Sequence, residues 1–287
     1  MNAPVFELTA QKPARHKTRR GGWAWGPVES AKLRVLSLGA GVQSTTLALM
    51  AAHGEIGPMP DYAIFADTGD EKASTLEHLA WLRSGNVLPF PVHVVAKGER
   101  LSDAQLRTGG VIPFFTARGQ GARRSCTKNW KGRVLYAEQR RLAGFRPRQR
   151  IPAGTIEVWV GFSVDEAIRA GSSWDAGTVA RNPLLERGMT RVDCARWLRE
   201  HGYPVPPNSA CFHCPYLDDV ERTRIKRDEP EEHARACAFD ALLRAPGSTR
   251  VPQFIHASGK PLAEVDLSTA EERGQGMLMV CDAGCGL

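Results

Sequence analysis

Cysteines are the residues of this chain that offer the most distinctive chemistry. Residues 211–214 read Cys-Phe-His-Cys and are followed by Pro215, and two thiolates at this spacing can bind one metal ion or one cluster. Cys126 precedes them in a basic segment, and Cys281 and Cys285 come near the end of the sequence. The seven cysteines are an odd number, and the chain begins without a hydrophobic export signal. This usage favours metal binding or thiol chemistry over a disulfide framework.

We predict a metal site of four thiolates, which suits either zinc or a [4Fe–4S] cluster. The expected ligands are Cys126, Cys211, Cys214 and Cys285. Cys281 is the expected substitute ligand or sulfur carrier, and His213 is not counted because it lies between the two cysteines and would point away from them. Cys194 and Cys237 fall in helical patterns and are predicted to be thiols of the core.

Cations surround the first of the expected ligands. Arg123 and Arg124 precede Cys126, and Lys128 and Lys131 follow it. Such neighbours lower the pKa of a thiol and also bind phosphate groups. The alternative is a solvated basic turn with an incidental thiol.

A turn of small residues follows the first buried strand. Residues 33–36 read Leu-Arg-Val-Leu and are mainly apolar, residues 39–44 read Gly-Ala-Gly-Val-Gln-Ser, and a helical composition continues to Met50. A strand, a glycine turn and a helix N-terminus together can hold phosphate, because backbone N–H groups and the helix dipole face the anion. The alternative is an ordinary strand-to-helix turn, since the spacing matches neither the P-loop nor the dinucleotide-binding pattern.

Further apolar strands alternate with helical patterns. They cover residues 61–66, 92–95 and 156–162, and the first of them ends in Asp67-Thr68-Gly69. This alternation predicts an α/β fold with a parallel sheet and right-handed crossovers. Ligands of such sheets lie at the carboxyl ends of the strands, where both the glycine turn and Asp67 fall.

We expect three regions along the chain. Residues 1–32 would form a flexible basic arm, residues 33–180 a nucleotide-binding α/β core, and residues 181–287 a helical region that carries the Cys-x-x-Cys and the cysteine tail. Residues 98–122 are expected to be an irregular loop over the site, and residues 182–185 a short edge strand.

The net charge of +7 is concentrated in two segments. Residues 118–150 contain eleven Lys and Arg against one Glu, and residues 1–34 contain seven against two. Such patches favour phosphate-rich partners, a nucleic acid among them, although a solvated tail is the alternative for the arm. The sequence has no apolar run of about 18 residues, so no membrane span is expected and a cytoplasmic location is predicted. The oligomeric state stays open.

The turn at residues 39–44 resembles the PP-loop of the N-type ATP pyrophosphatases and phosphoadenosine phosphosulfate reductases, usually written Ser-Gly-Gly-Lys-Asp-Ser. Val42 and Gln43 replace the usual Lys and Asp, so the loop has no cation of its own. The Asp-Thr-Gly after the next strand and the Gly161-Phe162-Ser163 turn are also similar to that family. The resemblance implies an adenine nucleotide alpha hydrolase (HUP-type) fold, which is Rossmann-like, and a site for ATP with Mg²⁺. The residues it implies for nucleotide binding are Ser37, Gly39, Ala40, Gly41, Gln43, Ser44, Thr45, Asp67, Thr68, Gly69, Gly161 and Ser163, with Arg123, Arg124 and Lys128 supplying the missing positive charge.

The cysteine arrangement resembles the cluster site of assimilatory sulfate reductases and of DNA phosphorothioation ATP pyrophosphatases. The reductases usually have an adjacent cysteine pair where this chain has Ser125-Cys126. The tail at Cys285-Gly286-Leu287 is similar to the motif that carries the nucleophilic cysteine of the reductases, but no His follows it. The resemblance favours a [4Fe–4S] cluster over zinc.

Three functions remain open. The first is an ATP-dependent, adenylating and pyrophosphate-releasing transfer of sulfur to a nucleic acid or nucleotide, with a cysteine desulfurase or another protein as sulfur donor. The second is reduction of adenylyl sulfate or phosphoadenylyl sulfate. The third is a zinc-stapled nucleic-acid-binding protein whose loop is inactive.

Overall fold

A computed structural model describes residues 22–121, 125–171, 173, 175–247 and 251–268 of the chain. A six-stranded sheet in the order β1-β8-β7-β2-β3-β4 forms its centre, and every pairing within it is parallel. Its strands are β1 (Gly22–Ala24), β2 (Leu33–Leu38), β3 (Tyr62–Asp67), β4 (Val92–Ala96), β7 (Ile156–Val160) and β8 (Thr178–Arg181), and a separate hairpin consists of β5 (Phe115–Thr116) and β6 (Gly119–Gln120). The predicted parallel α/β fold is confirmed.

Helices connect the strands and cover the sheet. They are α1 (Val42–Ala52), α2 (Ala73–Leu82), α3 (Leu101–Thr108), α4 (Arg133–Leu142), α5 (Pro183–Glu186), α6 (Arg191–Glu200), α7 (Asp219–Asp228) and α8 (Pro230–Leu242). A π-helical turn at Thr127–Gly132 leads directly into α4, and short 3₁₀ turns cover Val164–Arg169 and Leu262–Glu264.

The direction of winding reverses between β2 and β7. The chain proceeds from β2 through β3 to β4 on one side, and then crosses back to β7 on the other side of β2. In open parallel sheets this reversal opens a crevice at the carboxyl ends of the two strands, and ligands bind there. The turn at residues 39–41 and the turn that begins at Gly161 both border this crevice.

Helix α1 lies in the middle of the protein. All residues from 42 to 51 are buried, and the helix packs against both the sheet and α6. A helix that is covered on all sides has no polar face, which agrees with its run of small and apolar residues. The position of the turn that precedes α1 is therefore held firmly by the core.

Two expected irregular or extended segments are helical instead. Residues 183–186 form α5 and not an edge strand; Pro183 lacks the N–H that a strand donates and suits the first turn of a helix. Residues 101–108 form α3 within the expected loop, because Leu101 and Ala104 pack into a second apolar cluster. The Gln105 side chain then accepts the N–H groups of Val111 and Ile112.

The predicted basic arm overlaps the sheet. β1 pairs with β8 at one edge, Gly26 N–H donates to Glu186, and Val28 N–H donates to the buried carboxylate of Glu157. Residues 22–28 are thus attached to the sheet, whereas residues 1–21 lie outside the described part. At the other predicted boundary, residue 180 falls inside β8. In the described residues, no helix has the length and apolar character needed to cross a membrane.

Candidate functional site

The turn between β2 and α1 has the geometry of an anion site. Ala40 adopts a left-handed conformation with a φ of 53°, and the Ser44 hydroxyl accepts the Gly39 N–H at 3.1 Å while donating to the Gly41 carbonyl. No side chain caps α1 at Gly41, and its first turn contains no acidic residue. The positive end of the helix dipole therefore has no carboxylate of its own opposite it.

Two glycines allow other segments to approach this turn. A Cβ on Gly161 would lie 3.2 Å from the backbone N and Cα of Ser44, and a Cβ on Gly41 would lie 2.6 Å from the Ser209 hydroxyl. The end of β7 and the segment that precedes the Cys-x-x-Cys therefore both border the phosphate-type turn. The sequence offered no local signal for Ser209.

Gln43, which replaces the usual Asp, links the turn to its surroundings. Its amide nitrogen lies 3.0 Å from Glu166 and 3.5 Å from the Ser163 hydroxyl. Its carbonyl oxygen accepts a hydrogen bond from Arg191 at 3.2 Å. The predicted proximity of Ser163 to residues 39–44 is thus present in the structure.

Arg191 is the cation that the structure places beside the turn. It is exposed and begins α6, after the Thr190–Asp193 capping box. Sequence patterns of this kind mark where a helix starts, but they do not reveal which loop the helix will face. Of the three cations predicted for this role, Lys128 is exposed on the π-helical turn, and Arg123 and Arg124 lie outside the described residues.

Thr45 belongs to the core and not to the surface of the turn. Its side chain is fully buried, and its hydroxyl lies 3.0 Å from Nε2 of His78 on α2. Burial lowers the pKa of His78 to about 4. A nucleotide contact through the Thr45 hydroxyl, which the resemblance implied, is at odds with this position. Ser37 is half-buried at the carboxyl end of β2.

The loop after β3 reaches the cysteine pair. Asp67 accepts the Gly69 N–H at 2.7 Å, and Gly69 has a φ of 77°. The Thr68 hydroxyl lies 3.1 Å from Glu71 and 3.3 Å from the sulfur of Cys211. Predicted nucleotide-binding and metal-binding residues are therefore in direct contact.

Backbone hydrogen bonds hold the Cys-x-x-Cys turn beside β3. Glu71 and Cys211 form an antiparallel bridge, Phe212 N–H donates to the Asp70 carbonyl, and Cys214 N–H donates to the Cys211 carbonyl at 3.0 Å. Nε2 of His213 lies 3.1 Å from Asp70, and its Nδ1 is buried without a hydrogen-bond partner among the described residues. That His213 is not a ligand stays a prediction.

One of the four cations that surround Cys126 in the sequence lies next to these thiols. Lys131 Nζ is 3.2 Å from Glu71, whose other oxygen is buried without a hydrogen-bond partner. Burial alone would lower the pKa of Lys131, but Glu71 and the sulfurs of Cys211 and Cys214 raise it above its ordinary value. Burial and the Glu71 carboxylate raise the pKa of the Cys211 thiol.

The donor set fits a thiolate-bound metal in part. Cys126 packs against the apolar cluster that contains Cys211, but among the described residues the sulfurs of Cys126, Cys211 and Cys214 do not form a group within 4.8 Å of one another. Cys281 and Cys285 lie outside the described residues. Zinc would bring its sulfurs to about 3.8 Å from one another, given Zn–S bonds of about 2.3 Å. Within the described chain, the compact group of three ligand atoms within 4.8 Å is a different one, His53, Glu55 and His201.

The other two cysteines have no such setting. Cys194 is fully buried beside Thr46, and burial raises the pKa of its thiol to about 12. Cys237 is half-buried and lies 3.5 Å from His233 on the same helix. Both positions agree with the predicted packing role.

Comparison with known proteins establishes no family for this chain. No family model matches the chain, and no curated protein matches it. Among solved structures, the phosphoadenylyl-sulfate (PAPS) reductase from Candida auris, in a phosphate complex, is similar with a TM-score of 0.41 and 12% identity, over 63% of this chain and 81% of that chain. Similarity at this level carries no argument about activity. The α/β class follows from the sheet order of this protein itself.

Proposed function

We propose that this protein is an enzyme that binds an adenine nucleotide by its phosphates at the β2–α1 turn and performs sulfur chemistry with nearby thiols. One observation carries the proposal. The segment that contains the Cys-x-x-Cys lies against the turn through Ser209 and against the β3 loop through Thr68 and Glu71. A phosphate-type turn and a thiol pair therefore share one edge of the sheet.

The β2–α1 turn and Arg191 would hold the phosphates. The N–H groups at the start of α1 supply oriented dipoles, and the guanidinium supplies the charge that the turn lacks. Asp67, at the carboxyl end of β3, would hold Mg²⁺ when a triphosphate is bound. These groups position the nucleotide and stabilise charge that develops during the reaction.

Cys126, Cys211, Cys214 and a tail cysteine would hold a [4Fe–4S] cluster, or zinc as the alternative. Such a group, when bound, supplies a stabilised set of thiolates and, in the case of iron, a redox centre. Lys131 would offset the negative charge of the thiolates and of Glu71.

Reduction of adenylyl sulfate or phosphoadenylyl sulfate is the reaction that the turn favours. The turn has no lysine that could bind a departing pyrophosphate. The reduction releases no pyrophosphate, because it breaks the S–O bond of the sulfate group and no bond between phosphates. A tail thiolate would attack the sulfur of the sulfate group, and the S–O bond would break as the nucleotide leaves with the electron pair. A second thiol, from a dithiol reductant, would attack the resulting S-sulfocysteine. Sulfite would leave and a disulfide would form.

ATP-dependent sulfur transfer is the second candidate, favoured by the exposed basic turn at residues 146–150. An oxygen of the acceptor would attack the α-phosphate, and the bond to pyrophosphate would break. The terminal sulfur of a persulfide on a donor such as a cysteine desulfurase would then attack the activated carbon of the acceptor, and AMP would leave. The acceptor would then be joined to the donor cysteine through a disulfide, which a dithiol reductant would cleave to release the thiolated acceptor and the donor thiol. The positive charge of residues 146–150 suits a nucleic acid as acceptor.

Two assays separate these reactions. With ³⁵S-labelled adenylyl sulfate or phosphoadenylyl sulfate and a dithiol, the reductase releases labelled sulfite. With ATP, Mg²⁺ and labelled pyrophosphate, the adenylating enzyme incorporates label into ATP. Calorimetric titration with AMP, adenylyl sulfate and ATP tests the shared site. Failure of all three nucleotides to bind would refute the proposal and leave the zinc-stapled nucleic-acid-binding protein, which a filter-binding assay tests.

A further inference from the structure

A second group of metal-ligand side chains lies at the far end of α1, away from the phosphate-type turn. His53 follows the last residue of α1, His201 follows the last residue of α6, and Glu55 lies two residues after His53. One ligand atom of each lies within 4.8 Å of the other two, and all three side chains are exposed. Two imidazoles and a carboxylate are a recurrent ligand set for zinc with one coordination position left open.

The hydrogen bonds of His201 define its free nitrogen. Its Nδ1 lies 2.8 Å from the Trp197 carbonyl, which can only accept, so Nδ1 carries a proton and, in the neutral imidazole, Nε2 has the lone pair. That Nε2 lies 3.9 Å from Oε1 of Glu55. A lone pair and a carboxylate that face each other are stabilised when a cation lies between them.

The other two side chains are also oriented by neighbours. His53 Nε2 lies 2.7 Å from the Tyr203 hydroxyl, and Trp197 Nε1–H donates to Glu55 at 3.2 Å. Outer hydrogen bonds of this kind orient metal ligands and are a regular feature of metal sites. Arg187 lies 3.9 Å from the second Glu55 oxygen, Oε2, which leaves Oε1 on the side of His201.

The ends of two helices next to this group favour a bound cation. Helices α1 and α6 both end at this group, and the last carbonyl groups of a helix carry partial negative charge. At their other ends, the same two helices meet through Gln43 and Arg191. A cation bound here would join the two helices whose N-termini form the proposed nucleotide site.

We propose that His53, Glu55 and His201 bind a divalent transition-metal ion of the zinc type. Imidazole nitrogens select such ions over Mg²⁺ and Ca²⁺, which prefer oxygen ligands. The site is separate from the cysteines and does not depend on the proposed reaction. Its bound ion stabilises the folded state, because the unfolded chain does not hold the three ligands together.

Zinc titration of the full-length protein at pH 7.5 tests this site. We expect calorimetry to show a bound zinc ion that His201→Asn and Glu55→Gln lose. Cys211→Ser and the control His93→Asn should retain this ion. At zinc concentrations 100-fold above Kd, thermal unfolding should shift upward by about 5 °C in the proteins that keep the site. Because the two site variants change different elements, misfolding of one leaves the other informative.

Two outcomes would overturn the proposal. Equal zinc binding by the wild type and by both site variants would show that the ion lies elsewhere. Loss of all zinc binding in Cys211→Ser would assign the ion to the thiols alone. Addition of Mg²⁺ at the same concentration should leave the zinc isotherm unchanged.

Discussion

At the scale of single residues, the proposed nucleotide site differs from the usual PP-loop at Val42 and Gln43, which replace a lysine and an aspartate. The turn has no lysine, and its glutamine contacts Glu166 and Arg191 instead of presenting a carboxylate. Gly161 lets β7 approach the first turn of α1. Each feature has a direct consequence for nucleotide affinity.

Gly161→Ala tests the close approach. The added methyl group would meet the backbone of Ser44 at 3.2 Å, so the first turn of α1 must shift by a few tenths of an ångström. We expect nucleotide affinity to fall about tenfold, equivalent to about 1.4 kcal/mol, as measured by calorimetry. Gly85→Ala is the matched control, since a Cβ there meets nothing within 4 Å. Equal affinities of the two variants would contradict the assignment of this turn.

Arg191→Met tests the source of the missing charge. We expect a loss of about tenfold in nucleotide affinity, with partial recovery in Arg191→Lys, because a guanidinium–phosphate contact combines charge with hydrogen bonds. The loss should shrink at high salt. Arg199→Met, on the same helix, should bind like the wild type. If Arg191→Met also does so, another cation serves the phosphates.

At the scale of elements, α1 and α2 are joined through one buried pair of polar side chains. Thr45 on α1 and His78 on α2 contact each other inside the apolar layer.

The N-terminus of α2 binds the Glu232 carboxylate through the Ala73 N–H at 2.9 Å. This helix end already has an anion bound to its backbone N–H, whereas the carboxylate near the start of α1, that of Glu166, binds the Gln43 side chain. This difference favours α1 for the proposed phosphate site.

His78 predicts a pH dependence of stability. Its pKa is lowered from 6.5 to about 4 by burial, so below pH 6.5 the unfolded state takes up a proton that the folded state does not. Stability is complete above pH 6.5, falls as the pH decreases to about 4, and changes no further through this group below it. The total loss is roughly 3 kcal/mol. Urea unfolding of the wild type and of His78→Gln at pH 7 and pH 4.5 measures it. An equal pH dependence in both proteins would exclude His78 as the cause.

At the scale of the whole molecule, two parts of the chain that are distant in sequence meet at the proposed site. The C-terminal segment around Cys211 returns to the carboxyl edge of the sheet and contacts both the β2–α1 turn and the β3 loop. The apolar cluster that contains Cys211 also receives Cys126. A metal bound by these thiols would join the helical region to the sheet.

The cysteine assignment predicts the metal content. After anaerobic purification, we expect the wild type to contain iron and to absorb visible light. Most of the iron and of the visible absorption should be lost in each of three variants, Cys126→Ser, Cys211→Ser and Cys214→Ser. Cys237→Ser should keep both, because its thiol has no partner cysteine in the described structure. Elemental analysis distinguishes iron from zinc. Full iron content in the Cys211→Ser variant would refute the site.

Features that depend on a few neighbouring residues could be predicted from the sequence. The four central strands, the position of the small-residue turn before α1 and the short separation of Cys211 and Cys214 follow from periodicity and spacing over a few residues, where chain connectivity limits the possible geometry. The helices α3 and α5 were missed because short segments depend on burial that neighbouring residues do not reveal.

The contacts between distant residues at the proposed sites could be seen only in the folded chain. Ser209 at Gly41, Arg191 at Gln43 and Lys131 at Glu71 are pairs whose partners lie far apart along the chain. The same holds for the two helix ends that bring His53 to His201. Local sequence patterns specify strands and helices, but which of their ends meet depends on how the whole core packs. That packing is a property of all the elements together.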